Sequence, residues 1–180
     1  MHDVAQTLNV ESDYLIGRAD GRCIAEHLRN TLSQAAGHGV VNLAFDQVEL
    51  MDGSFADEVF GAIAAERSQG KFAGAPMILQ GLNPSSCDNL NQSLLSRPVR
   101  EPGLRNCVIP VLSGRDNVQL CGKSEDHVQQ TFGLLNRVGE LTAKTLADML
   151  GLTISAASTR LKVLFDLGLA VRHEVRDANG

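Results

Sequence analysis

The chain has 180 residues, a hydrophobic fraction of 43% and a net charge of −5 at pH 7. This length allows one or two domains with a packed core, and the composition is that of an ordinary globular protein. No apolar run approaches a membrane span, and residues 1–13 lack the basic start and apolar centre of a signal peptide, so we expect a cytoplasmic protein with no membrane partner. Four cysteines without CxxC spacing are expected to be buried thiols in a reducing compartment: Cys23, Cys87, Cys107 and Cys121.

Predicted strands and helices alternate over residues 1–123. Residues 40–45 form a near-continuous apolar run, which is typical of a strand covered on both faces. Further strands are predicted over 75–82, 106–112 and 118–122, and helices over 21–36, 54–69 and 84–96. This alternation predicts an α/β domain in which helices cover a mixed sheet. Because the segment carries a net charge of −4, we do not expect it to bind nucleic acid itself.

Apolar residues at helical spacing over about 128–138 predict the first helix of the C-terminal part. Two shorter helices follow. Thr142 is expected to cap the first of them and Gly151 to end it, and Thr153 is expected to cap the second, which Gly168 ends. The residues predicted to face inward are Leu146, Ala147 and Leu150 on the first helix, and Ala157, Leu161 and Leu164 on the second.

Residues 125–176 resemble the winged helix-turn-helix family, broadly its MarR- or ArsR-like members. Ala147, Gly151 and Ala157 match the small-residue, turn-glycine and core positions of that motif, and residues 169–176 (LAVRHEVR) are predicted to be the wing strand, with DANG as its turn. The resemblance implies that the second helix of the pair enters the major groove of double-stranded DNA. The DNA contacts that it implies are Thr153, Ser155, Ser158, Thr159, Arg160, Lys162, Arg172 and Arg176.

The charge of the C-terminal part limits this interpretation. Residues 124–180 hold six basic and seven acidic residues, a net charge of −1. Phosphate contacts supply most non-specific DNA affinity, so the basic groups must be concentrated on one face, and four of the six lie from Arg160 onward. The alternative is a winged-helix module that mediates only dimerisation or protein contact.

Residues 41–63 resemble a STAS-like family of unknown function. The residues that carry the resemblance are DQVE (46–49), which matches a turn after a hydrophobic strand, and SFADE (54–58), which matches a helix start. That family is related to the anti-sigma-factor antagonists, in which an ATP-binding partner kinase phosphorylates a serine at this helix start. The resemblance therefore implies a partner-binding face with a phosphorylation site, formed by Ser54, Asp57 and Glu58.

The same residues have a structural explanation. Ser54 and Asp57 have the spacing of a capping box, in which each side chain satisfies a free backbone amide at the helix start. Asp57 and Glu58 are also expected to stabilise the helix start, because acidic residues in the first turn interact favourably with the helix dipole. Phe55 stands where the antagonists carry glycine, and this side chain crowds the approach of a kinase.

Enzyme chemistry has little support in the sequence. The chain contains no GxSxG, GxxxxGKS, GxGxxG or HExxH motif, and its five histidines share no metal-ligand spacing. Ser85, Ser86 and Cys87 are ordinary residues for a helix start, and the neighbouring acids Asp57 and Glu58 point about 100° apart on a helix. We therefore expect no catalytic residues, no cofactor and no bound metal.

The boundary between the two parts is expected near Lys123, because the polar stretch 121–127 separates the last predicted strand from the first C-terminal helix. Residues 1–123 are then a STAS-like domain and residues 124–180 a small, mainly α winged helix-turn-helix domain. The expected function is transcription regulation, in which the first domain binds a signal or partner and controls a DNA-binding homodimer. The alternative is a protein-interaction switch like the anti-sigma antagonists, with the winged domain as an adaptor or dimerisation module.

Overall fold

The computed structural model of the chain describes residues 6–9, 12–114 and 117–173. These residues form a mixed α/β structure with a five-stranded sheet, a two-stranded sheet and six helices, which confirms the predicted class of a mixed sheet with covering helices. The strands are β1 (Gln6–Asn9), β2 (Tyr14–Leu15), β3 (Val41–Ala44), β4 (Leu50–Met51), β5 (Met77–Gln80), β6 (Cys107–Ser113) and β7 (Asn117–Lys123). The helices are α1 (Arg18–Ala35), a continuous helix made of α2 (Gly53–Ala56), a π-helical turn (Asp57–Gly61) and α3 (Ala62–Ser68), then α4 (Pro84–Arg100), α5 (Asp126–Val138), α6 (Ala143–Leu150) and α7 (Ile154–Asp166).

The larger sheet has the strand order β1-β3-β5-β6-β7. β1, β3, β5 and β6 are parallel, and β7 returns antiparallel to β6, with Cys121 opposite Ile109. β2 and β4 form a separate parallel pair. The four predicted strands correspond to β3, β5, β6 and β7. The sequence pattern does not predict β1, β2 or β4, because these have only four, two and two residues and are defined by pairing with distant parts of the chain.

Two helices differ in length from their predictions. α1 begins at Arg18 rather than at residue 21, because Gly17 takes a left-handed φ of 79° and donates its backbone N–H to the Asp52 carboxylate at 3.1 Å. α4 continues past residue 96 to Arg100 and contains Pro98. The extra turn of α4 matters because it carries Arg97 and Arg100 to the helix that begins at Gly53.

The main hydrophobic core lies on one face of the larger sheet. Side chains of β3, β5 and β6 alternate between the two faces, so every second residue points at α1, α4 and the helix between them. The central helix packs on both sides and is buried almost all round. Its core residues include Phe55, Val59, Phe60 and Ile63, and Phe45 meets Phe60 edge to face with ring centroids 6.0 Å apart.

A second hydrophobic cluster lies on the opposite face of β6 and β7. Val108 of β6 is buried there against α5 and α7, with Val118 and Leu120 of β7 packed at its margin. The members from the C-terminal helices and the turn after them are Val128, Phe132, Leu164, Leu167 and Leu169. The C-terminal helices are therefore packed directly on the sheet, although β7 ends at Lys123 beside the predicted boundary.

The helix pair α6–α7 has the predicted caps. The Thr142 hydroxyl accepts the Thr145 N–H at 3.1 Å, and the Thr153 hydroxyl accepts the Ala156 N–H at 3.2 Å. Gly151 ends α6 in the left-handed conformation, with a φ of 64° and a ψ of 35°. A third cluster, centred on the buried residues Leu146, Ala147 and Ala157, holds the pair together.

The prediction of a wing strand is wrong for the part of it that the structure describes. Residues 169–173 follow the turn at Gly168 without forming a strand, and the rest of the predicted strand and its turn, residues 174–180, lie outside the described residues. The apolar side chains of this segment explain the difference, because Leu169 and Ala170 pack into the second cluster rather than alternating along a free hairpin.

Candidate nucleic-acid interface and candidate partner site

The first half of α7 presents an exposed polar face. Ser155, Ser158, Thr159 and Lys162 are all exposed, whereas Ala157 and Leu164 on the opposite side of the helix are fully buried. Thr153 is exposed at the start of the helix, where its hydroxyl is the cap. The Thr159 hydroxyl donates to the Ser155 carbonyl at 3.0 Å, so its lone pairs still face solvent. The residues predicted to point outward from this helix are therefore brought together on one accessible surface.

The two cations of this face already have partners. Arg160 is half-buried and donates to the Gln130 side chain of α5 at 2.8 Å, above a shallow depression that Asp126 and His127 also line. Lys162 forms an ion pair with Asp166, one turn later on α7. A phosphate would have to compete with these contacts, which makes the face only weakly cationic. Of the remaining predicted contacts, Arg172 is exposed beyond α7, and Arg176 lies outside the described residues.

Ile154 belongs to this surface although the sequence pattern does not predict it. Ile154 lies three residues before the inward Ala157, and this spacing favours a buried side chain. It is nevertheless 60% exposed, because it is the first residue of α7 and the cluster between α6 and α7 begins only at Ala157. An apolar side chain at the start of a groove-reading helix is suited to contact with a thymine methyl group.

The second half of α7 is held by the α/β part of the chain. Phe165 packs against Gly74, whose backbone N–H donates to the Phe165 carbonyl at 2.9 Å. Gly74 has a φ of 67°, and a Cβ atom at this position would lie 2.5 Å from the Phe165 ring. Gly168 makes a similar close approach, since a Cβ atom there would lie 3.2 Å from Nε of Arg67. A shift of the loop that contains Gly74 would therefore be transmitted to α7 itself.

Arg67 lies fully buried beneath this contact. Its guanidinium donates to the Ala75 carbonyl at 2.6 Å, and burial lowers its pKa to about 10. The remaining guanidinium atoms Nε and Nη1 have no hydrogen-bond partner among the described residues. The guanidinium lies where α3, the following loop and the turn after α7 meet.

The predicted capping box of Ser54 and Asp57 is wrong. The residue that caps this helix is Asp52, whose carboxylate accepts the Phe55 N–H at 2.7 Å. The helix therefore begins one residue earlier than predicted, and Ser54 lies exposed in its first turn. Asp57 does not reach back to the helix start, because its carboxylate is engaged by arginines from two other helices.

Asp57 is the centre of an ion-pair cluster between α1, the π-helical turn and α4. Arg100 donates to both carboxylate oxygens, at 3.0 and 2.5 Å, and Arg97 and Arg18 donate at 3.3 and 3.2 Å. Glu58 pairs with Arg18 and Arg22 at the exposed margin of the cluster. Desolvation alone raises the pKa of Asp57, but the Arg100 hydrogen bonds and the three guanidinium charges outweigh it and hold that pKa below 3.8.

The STAS-like resemblance groups Ser54, Asp57 and Glu58, and the structure adds arginine partners to the two acidic residues of this group. Ser54 stands three residues before Asp57 and four before Glu58, so the three lie along one stripe of the helix. Gly61 continues that stripe, and the absence of a side chain there leaves room for Arg97. The arginines of the cluster carry no recognisable motif in the sequence. Only the proximity of α1 and α4 to the π-helical turn shows their role.

Ser86, at the start of α4, has a structural role. The Ser86 hydroxyl is buried and accepts the Met51 N–H at 3.0 Å, and the Ser86 backbone N–H donates to the side chain of Asn83, which caps the helix, at 2.8 Å.

Within residues 6–9, 12–114 and 117–173, no three His, Cys, Asp or Glu side chains are grouped closely enough to hold a metal ion. Over the same ranges, no helix is both long and apolar enough to cross a lipid bilayer.

Comparison with known proteins gives no match. No protein-family model, no curated protein and no solved structure is significantly similar to this chain. The resemblances to the STAS-like and winged helix-turn-helix families therefore stay predictions, and the functional argument depends on the geometry of the two sites.

Proposed function

We propose that the chain is a DNA-binding transcription regulator, in which the α/β part controls the placement of α7. One observation carries the proposal: α7 presents an exposed polar face formed by Ser155, Ser158, Thr159 and Lys162, and its second half is packed into the α/β part. The exposed half has the composition of a surface that reads DNA with modest selectivity, because serine and threonine hydroxyls discriminate poorly between bases. The packed half connects that surface to a second candidate site.

The protein is expected to act as a homodimer on two half-sites. One recognition helix covers too few base pairs to be selective, so two copies reading successive major grooves are needed. The weak charge of the α7 face strengthens this expectation, because each copy supplies few phosphate contacts.

Replacing Arg160 and Lys162 together with alanine is expected to weaken binding to duplex DNA and to reduce the slope of log affinity against log salt by about 2 for each bound copy, or about 4 for the homodimer. Fluorescence anisotropy with labelled genomic fragments at several salt concentrations measures both quantities. Asp166→Asn is expected to have the opposite effect on affinity, because it releases the Lys162 ammonium from its ion pair.

The matched control removes the same charge from the α/β part by replacing Arg22 and Arg105, both exposed, with alanine. This control is expected to leave the salt slope close to that of the wild type. Equal losses of DNA affinity in the two double variants would contradict the assignment of α7 as the DNA-binding helix, since the affinity would then depend only on the total charge of the protein.

A second function, a protein-interaction switch controlled by phosphorylation, is favoured by the surroundings of Ser54. Ser54 is exposed in the first turn of its helix, where the dipole favours a negative charge, and it lies one turn from the carboxylates that Arg18 and Arg100 engage. A phosphate on Ser54 would compete for these guanidinium groups and rearrange the cluster.

The test of this second function is phosphate incorporation in the presence of ATP and a co-purifying kinase. We expect Ser54→Ala to abolish incorporation. Ser85→Ala is the matched control, because Ser85 is also exposed at the second position of a helix and is expected to leave incorporation unchanged. Incorporation that persists in Ser54→Ala would exclude Ser54 as the site.

A further inference from the structure

Cys87 and Cys121 are brought together by the fold although 34 positions separate them in the chain. Cys87 lies in the first turn of α4 and Cys121 lies in β7, and these two elements pack against one another. Both side chains are half-buried and pack against the main core. The other two thiols differ from this pair, because Cys107 is buried and Cys23 is exposed, the latter against the prediction that all four are buried.

The backbones around the two thiols are held close by independent contacts. Asn91, one turn after Cys87 on α4, accepts the backbone N–H of Gly122 at 2.9 Å. Gly122 follows Cys121 directly and has a φ of 98°, and a Cβ atom there would lie 2.8 Å from the Leu94 side chain. The glycine therefore permits the close approach of α4 to β7, and this approach brings the turn that carries Cys87 near the strand that carries Cys121.

We propose that Cys87 and Cys121 form a reversible intramolecular disulfide when the protein meets a peroxide. In the first step the Cys87 sulfur attacks one peroxide oxygen, the O–O bond breaks, and the thiol proton leaves with the departing hydroxide as water. In the second step the Cys121 sulfur attacks the Cys87 sulfenic acid, the S–O bond breaks, and the second thiol proton leaves as water. The two sulfurs lose two electrons, and the peroxide is reduced to two waters.

The environment of the pair assigns the order of these steps. Burial, followed by the neighbouring Cys87 thiol, raises the pKa of Cys121 to about 12, so Cys121 stays protonated at neutral pH. Because a protonated thiol is a poor nucleophile, we assign the first attack to Cys87 and the resolving step to Cys121. Disulfides inside cells are uncommon and are usually redox-sensing.

The position of the pair connects it to the C-terminal helices. The face of β7 opposite the core carries Val118 and Leu120, which pack in the cluster of α5 and α7. β7 also leads directly into α5 through Ser124 and Glu125. A covalent link between α4 and β7 would restrain the strand against which α7 packs.

The experiment treats the full chain with hydrogen peroxide, quenches it in acid, alkylates the remaining thiols and measures the intact mass and the linked peptides. We expect a mass loss of about 2 Da, protection of Cys87 and Cys121 from alkylation, one linked peptide that contains both, and reversal by dithiothreitol. Cys87→Ser and Cys121→Ser are each expected to abolish the link, and Cys23→Ser to retain it. Circular dichroism checks the fold of each variant, and alanine at the same position replaces serine in any variant that unfolds.

Three results would overturn the proposal: an unchanged wild-type mass, a gain of oxygen on Cys87 without a link, or a link that survives in both single variants. None of these results depends on DNA, so the disulfide and the proposed function succeed or fail separately.

Discussion

Asp57→Asn is expected to lower the free energy of unfolding by about 3 kcal/mol. The substitution keeps the shape of the side chain but leaves three guanidinium groups gathered around a neutral amide. We place the effect at the lower end of the range for breaking a buried ion pair, because Arg18 and Arg100 are about half-exposed and water can solvate them again. Urea denaturation followed by circular dichroism measures the change.

The control for Asp57→Asn is Glu58→Gln, one residue along the same helix. Among the residues that the structure describes, Glu58 pairs with Arg18 and Arg22, whose side chains are 53% and 72% exposed, so its removal is expected to cost under about 1 kcal/mol. Equal destabilisation by the two substitutions would show that the buried position of Asp57 has no special importance.

The same carboxylate gives a defined pH dependence. Since the pKa of Asp57 is below 3.8 in the folded protein, its stabilising effect is complete at neutral pH, where the carboxyl is ionised in both states. As the pH falls below 3.8, the unfolded chain binds the proton first, and the stabilisation is lost progressively until the pH passes the folded-state pKa. The difference in stability between the wild type and Asp57→Asn is therefore expected to narrow on acidification from about pH 6 to about pH 3. A constant difference would contradict the ion-pair assignment.

Leu164→Ala is expected to destabilise the protein by about 3 kcal/mol and to loosen both the C-terminal helices and the sheet beneath them. Leu164 is fully buried in the cluster that α5 and α7 share with β6 and β7. A cavity there removes contacts on both sides of the predicted domain boundary. Hydrogen exchange with mass spectrometry is expected to show faster exchange in α7 and in β7 together.

Leu146→Ala is the matched substitution for Leu164→Ala. Leu146 is equally buried, but the described members of its cluster all come from α5 to α7 and the turns between them. We expect a similar loss of local stability with unchanged exchange in β7. If Leu164→Ala also leaves β7 unchanged, the shared cluster does not couple the two parts.

The sequence predicts the elements whose signals are local. The run at 40–45 predicts β3 because a strand covered on both faces needs apolar residues at nearly every position. Thr142, Gly151 and Thr153 predict the ends of α6 and α7 because each acts on backbone groups within a few residues of itself. The outward face of α7 follows from the same periodicity.

The features that the sequence does not predict depend on distant partners. The arginines that engage Asp57 lie 39, 40 and 43 positions away from it, and nothing near Asp57 marks them. Asp52 rather than Ser54 caps its helix, and its carboxylate also accepts the N–H of Gly17, 35 positions earlier. The sequence also does not predict that α7 packs on the sheet, because Leu164 and Leu167 have the spacing of any buried helical face.

The central claim is that the exposed first half of α7 reads duplex DNA. The most direct test sequences the fragments that the purified protein retains from a random duplex library, with the Arg160 and Lys162 double variant processed in parallel. The account predicts that the wild type enriches a short motif, repeated about 10 base pairs apart, and that the double variant loses the enrichment. Retained fragments that match the input library for both proteins would contradict it.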